Sequence, residues 1–90
     1  MLDRLIALRE EYQSRVQEAG GHVRLARLVD DLFVLPVVRV TDAAERVEVT
    51  YPTARRDLKR LEELAILVEV PDAEQITYAG PGIIDVVYGD

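Results

Sequence analysis

The sequence predicts a mostly α-helical fold with one small β-hairpin, a winged helix-turn-helix preceded by an N-terminal helix. Three observations predict it. Apolar residues recur at three- and four-residue steps from Leu2 to Ala65, the period of a buried helical stripe. Between Thr41 and Leu64 a short and a longer helical segment are separated by only a few residues. From Ile66 onward the apolar period drops to two, the signature of strands.

The totals bound the functions open to the chain. Its 90 residues, 49% apolar and 31% charged, suit one globular domain, residues 1–90, with a core of its own. Cysteine is absent, which excludes disulfides and thiolate metal sites. His22 is the only histidine, too few for a zinc site or a histidine-dependent triad, and no nucleophile–base pair or glycine-rich phosphate loop is visible. The expectation is therefore no enzyme, no metal and no cofactor. No apolar run approaches the roughly 18 residues a membrane span needs. Asp3, Arg4 and Arg9 interrupt the start of the chain, unlike a signal peptide. A cytoplasmic protein is expected.

Charge is distributed unevenly. Seventeen acids outnumber eleven bases, giving a net charge of −6. Four of the bases crowd into Arg55–Arg60, whereas residues 65–90 hold five acids and no base. A free-standing DNA binder usually carries the opposite overall sign, because affinity comes largely from neutralising phosphates.

The first helix is expected over residues 2–19, with Leu2, Leu5, Ile6, Leu8, Tyr12, Val16 and Ala19 on its apolar stripe. Gly20-Gly21 should stop it. A second helix covers roughly 22–33, and together residues 1–33 form the leading helices. Pro36 bars continuation, and Leu35–Val38 reads as an apolar connector. The helix-turn-helix is placed at 40–65. Thr41 is expected to cap its first helix, with Asp42 and Glu45 in the first turn. Thr50 caps the second, with Pro52 in the first turn, where the missing amide hydrogen does no harm. The second helix buries Ala54, Leu58, Leu61 and Ala65. A two-stranded wing follows over 66–79, its strands around Ile66–Val70 and Ile76–Tyr78 joined through Pro71-Asp72. Residues 80–90 form a tail that periodicity leaves open between strand and helix.

Each part of the helix-turn-helix has a packing reason. Ala43 or Ala44 lets the second helix cross the first closely, and Val47 and Val49 plug the angle between them. With the apolar stripe inward, 100° per residue sends Pro52, Arg56, Lys59, Arg60 and Glu63 outward, with Thr53 and Arg55 on the flanks. Arg56 and Lys59 are the expected groove-facing pair on double-stranded DNA. Arg55 and Arg60 would meet phosphates, and Tyr51 and Thr53 would stand at the helix entrance. The alternative is a solvated face paired with Glu62 and Glu63. Asp30-Asp31 point about 100° apart and read as a solvated face rather than a metal pair.

The segments Leu32–Pro36, Ala43–Val47, Thr50–Ala54 and Leu58–Glu69 resemble the C-terminal winged-helix domain of Fic-family proteins (filamentation induced by cAMP). In that family a Leu-Phe, two residues, Pro pattern precedes the helix-turn-helix. A Ser/Thr, two residues, Thr-Ala motif opens the second helix, and a leucine pattern ending in Gly-Ile-Leu closes it. The likeness covers about residues 25–80. It implies a non-catalytic regulatory domain of a bacterial Fic-type protein, active in transcription regulation, with helix 2–19 leading out of a catalytic core in a longer parent. The chain would then be a piece of that parent. Glu48 and Ala65 stand where the family usually has glycine. Pro71–Gln75 is acidic where the family often carries arginine, which counts against a wing-to-phosphate contact. The Fic catalytic signature, which opens His-Pro-Phe, is absent, since His22 is followed by Val23.

The first helix offers a second kind of partner. Leu2, Leu5, Ile6, Tyr12 and Val16 either fold onto the winged helix or associate with a second copy as a homodimer. Docking or dimerisation without DNA contact is thus the alternative function.

Overall fold

A computed structural model describes residues 1–89. Within them α1 (Leu2–Glu18) and α2 (Val23–Leu32) lead into β1 (Val37–Arg39), α3 (Val40–Arg46) and α4 (Tyr51–Glu63). The chain continues through β2 (Val68–Glu69), β3 (Thr77–Ala79) and α5 (Pro81–Tyr88). The architecture is mostly helical, a winged helix-turn-helix preceded by an N-terminal helix.

One apolar cluster joins every layer. Tyr12 and Val16 of α1, Leu25, Leu28, Val29 and Leu32 of α2, and Ala54, Leu58 and Leu61 of α4 are buried together. Burying a leucine-sized side chain contributes about 1.5–3 kcal/mol, so this cluster supplies most of the drive to fold. Ala43 is fully buried, and its small side chain admits the close crossing of α3 and α4. Ala65, expected on the α4 stripe, is instead exposed, because the helix ends at Glu63, two residues before it.

Three helices end in the same way. After α1, Gly21 N–H donates to Val16 O at 2.9 Å and Gly20 N–H to Gln17 O at 3.2 Å. After α3, Val49 N–H reaches Ala44 O and Glu48 N–H reaches Glu45 O, at 3.0 and 3.3 Å. After α4, Ile66 N–H reaches Leu61 O and Ala65 N–H reaches Glu62 O, both at 3.0 Å. This paired closure needs a left-handed residue just past the helix. Glycine supplies it after α1 alone. Glu48 and Ala65 supply it elsewhere, at φ 55° and 61°.

The wing is a three-stranded antiparallel sheet in the order β1-β3-β2, rather than a two-stranded hairpin. Residues 37–39 of the expected connector form its third strand, pairing Val38 with Tyr78 and Arg39 with Thr77. Pairing is set by a strand 38 residues downstream, which local periodicity does not register. The register turns Val38 and Tyr78 into the core. β2 is shorter than expected, and Ile66 and Leu67 are both buried ahead of it.

One further expectation is corrected and one open choice is resolved. Thr41 does not cap α3, because the chain passes straight from β1 into the helix and Arg39 occupies the capping position, extended at ψ 151°. The tail forms α5, with Gly80 as cap and Pro81 in its first turn. Thr50 does occupy the cap of α4, but its hydroxyl bonds Thr53 Oγ1 at 3.1 Å rather than a backbone amide.

Candidate nucleic-acid interface

The second helix of the pair, α4, is held on three sides, which fixes the side it offers outward. Ala54, Leu58 and Leu61 anchor it on the core. On the α2 side Asp57, 8% exposed, accepts Nε and Nη2 of Arg24 at 2.8 and 3.3 Å. Beyond its end, Arg15 of α1 donates Nη1 to the Leu64 and Ala65 carbonyls at 3.2 and 3.3 Å, while its guanidinium lies 5.1 Å from the Tyr12 ring centre. Arg60 returns the favour, donating Nη2 to the Ala19 carbonyl past the end of α1 at 3.2 Å. Cations suit helix C-termini, where carbonyls lack partners.

The wing is fixed to α4 by Glu62, whose Oε2 accepts Glu69 N–H at 3.2 Å. Glu62 is thus committed to the wing and leaves the α4 cations alone. No ion pair joins Arg55, Arg56, Lys59 or Arg60 to Glu62 or Glu63 among the described residues.

The cations of the expected site take different surroundings. Arg56 and Lys59 are exposed on the outward face and make no side-chain hydrogen bond among the described residues. Tyr51 is exposed beside them and Thr53 half-buried. Arg60 stands on the α2 flank. Arg55 is turned toward the wing, with its Nε buried and without an acceptor. Beside it the Tyr78 hydroxyl is likewise buried and unpaired. Burial pushes the Tyr78 phenol above its ordinary value, Glu69 and Glu62 add to the rise, and Arg55 opposes it.

The wing tip, residues 71–75, is exposed and carries Asp72 and Glu74 without a cation. Asp72 makes its turn at φ 61°, a conformation aspartate tolerates better than most side chains.

Of the apolar residues expected on a self-association face, Tyr12 and Val16 are core residues and Leu5 packs partly against the core. Leu2 and Ile6 stay exposed, at 68% and 49%.

Arg24 and Asp57 were missing from the sequence-based site. The signal was present, since Asp57 sits three residues after Ala54 and four before Leu61, inside the buried stripe. An acid at such a position needs a partner.

The sequence of this helix pair and its surroundings, residues 24–70, matches the DeoR-like helix-turn-helix domain. The chain belongs to that family. In this DeoR-like domain the match runs from the start of α2 past β2 and takes in α3 and α4 entire. Membership points to DNA binding and carries no link to Fic proteins. No curated protein matches the chain. No helix among the described residues is long and apolar enough to cross a membrane.

Proposed function

We propose that the chain is a non-catalytic regulatory domain that binds double-stranded DNA through α4. The observation that carries this reading is the pair of exposed cations Arg56 and Lys59, unpaired among the described residues, on the face of α4 opposite its buried stripe. They take the groove, with Tyr51 and Thr53 at the entrance of the helix and Arg55 and Arg60 on its flanks. Transcription regulation in a bacterial cytoplasm is the setting we assign. The likeness to Fic winged helices adds a catalytic core in a longer parent, against which α1 would lie.

Fluorescence anisotropy against mixed duplex DNA at two salt concentrations tests this reading. Binding should weaken as salt rises, and Arg56→Ala with Lys59→Ala should lower the salt slope by about 2. Absence of binding even at low salt would remove α4 as a DNA-reading helix.

A second reading is favoured by exposed Leu2 and Ile6 on α1 together with the acidic wing tip. Here the domain docks on a protein or a second copy and meets no DNA. Light scattering across a concentration series checks it, and a monomer throughout, with no affinity for a Fic core, would sink it.

A further inference from the structure

We propose that the cleft between the start of α2 and the middle of α4 is a phosphate site, one that grips the DNA backbone on the α2 side of the helix. This rests on the reading of α4 as the helix that meets DNA. The cleft holds about 420 Å3 and is lined by Arg24, Arg56, Arg60, His22, Asp57 and Glu63 among others.

Its donors are only partly committed. Arg24 directs Nε and Nη2 to Asp57, which leaves Nη1 without an acceptor among the described residues. Arg60 gives Nη2 to Ala19 and keeps Nε and Nη1. Arg56 has all its donors open among the described residues. The planar forks of Arg24 and Arg60, each with donors left over and facing one cleft, match the paired oxygens of a phosphodiester, with Arg56 adding its charge from the groove side. Both Asp57 oxygens accept from Arg24, so this acid orients an arginine rather than facing the ligand. Glu63 alone opposes an anion there, and the charged side chains around the cleft carry one positive charge in excess.

The other flank of α4 offers no such grip. The residues between β2 and β3, 70–76, hold Asp72 and Glu74 and no base. Helical geometry places Arg56 and Arg60 about 40° apart around α4, with Arg55 about 100° from Arg56 toward the wing. Backbone phosphates therefore find attraction beside α2 and repulsion beside the wing.

The test follows arginine Nε resonances of the intact chain by NMR during titration with duplex DNA, and separately with pyrophosphate. Anisotropy with Arg60→Gln and Glu63→Gln runs in parallel. Duplex should shift the Arg24 and Arg60 signals. Arg60→Gln should weaken all duplex sequences alike and lower the salt slope by about 1. Glu63→Gln, an exposed and unpaired position, should tighten binding about two- to threefold, roughly the weight of one near-surface charge. If duplex binds through Arg56 and Lys59 while the Arg24 and Arg60 signals stay still and Arg60→Gln keeps the full slope, the cleft is overturned and the α4 reading stands. If duplex fails to bind but pyrophosphate moves both signals, the phosphate site stands and its source is a free phosphorylated ligand. If duplex fails to bind and pyrophosphate moves neither signal, both readings are overturned.

Discussion

Ala65 holds a left-handed backbone at φ 61° while its side chain is exposed. A non-glycine residue there costs about 1–2 kcal/mol, and an exposed methyl returns little packing. Ala65→Gly should therefore raise stability by about 0.5–1 kcal/mol after the larger chain entropy of glycine is deducted. Thermal or urea unfolding checks it, and a loss of stability would show that the turn after α4 is unstrained. Glu48 shares the geometry at φ 55°. Both positions stood out in the sequence as places where glycine is usual. The sign of φ was not legible there, because it depends on whether the closing hydrogen bonds form. Asp57 was legible in principle, while the orientation of Arg55 toward Tyr78 needed the sheet to be in place.

At the scale of elements, the Arg24–Asp57 pair ties α2 to α4 across 33 residues of chain. Asp57→Ala removes the acceptor of two charge-assisted hydrogen bonds and leaves Arg24 exposed to solvent, so the loss is moderate. We expect the melting temperature to fall by about 4–8 °C, the equivalent of roughly 1 kcal/mol in a domain of this size. An unchanged melting temperature would show that the apolar stripe alone seats α4. The helices were legible because each carries its own period and its own stop, as Gly20-Gly21 does for α1. β1 was not, since Val37–Arg39 has strand character only through its pairing with Thr77–Ala79. The nature of α5 was hidden for another reason. Ile83, Ile84, Val86 and Val87 are apolar on either period, and only the docking of Gly82 against Tyr12 and Leu8 selects the helix.

Over the whole molecule, two buried phenols should contribute to the loss of stability at alkaline pH. Tyr12 and Tyr78 are raised above the ordinary tyrosine value of 10.0, in both cases chiefly by burial. For Tyr12 the charge of Arg15 opposes the rise, and Glu11 and Asp85 add to it. The unfolded chain then ionises first. The stability these phenols contribute is complete below pH 10 and is lost as pH rises from there through the native values. Unfolding free energies measured between pH 8 and pH 11.5 should stay level with respect to these groups up to about pH 10 and then fall. Tyr78→Phe should flatten part of that fall. It should cost little near neutral pH, because the hydroxyl it removes is buried and unpaired. An equally steep fall in the variant would assign the alkaline limit to other groups. Net charge and the acidic wing were legible at this scale from the start, but not the gathering of Arg24 beside the α4 cations. Cations gather on the α2 side of α4, an arrangement that only the packed helices create.

The exchange of arginines between α1 and α4 makes the two helix ends a thermodynamic couple. Arg15 of α1 holds the end of α4, and Arg60 of α4 holds the end of α1. Arg60 thus belongs both to the seat of α1, through Nη2, and to the proposed cleft, through its remaining nitrogens. Under the proposed phosphate site, a contact that shifts Arg60 at the end of α1 would change the affinity of α4 for its ligand, and by reciprocity the ligand would change the hold on α1 by the same factor. A helix that looks like an appendage to the DNA-reading unit is the handle by which a neighbour could set that unit's strength.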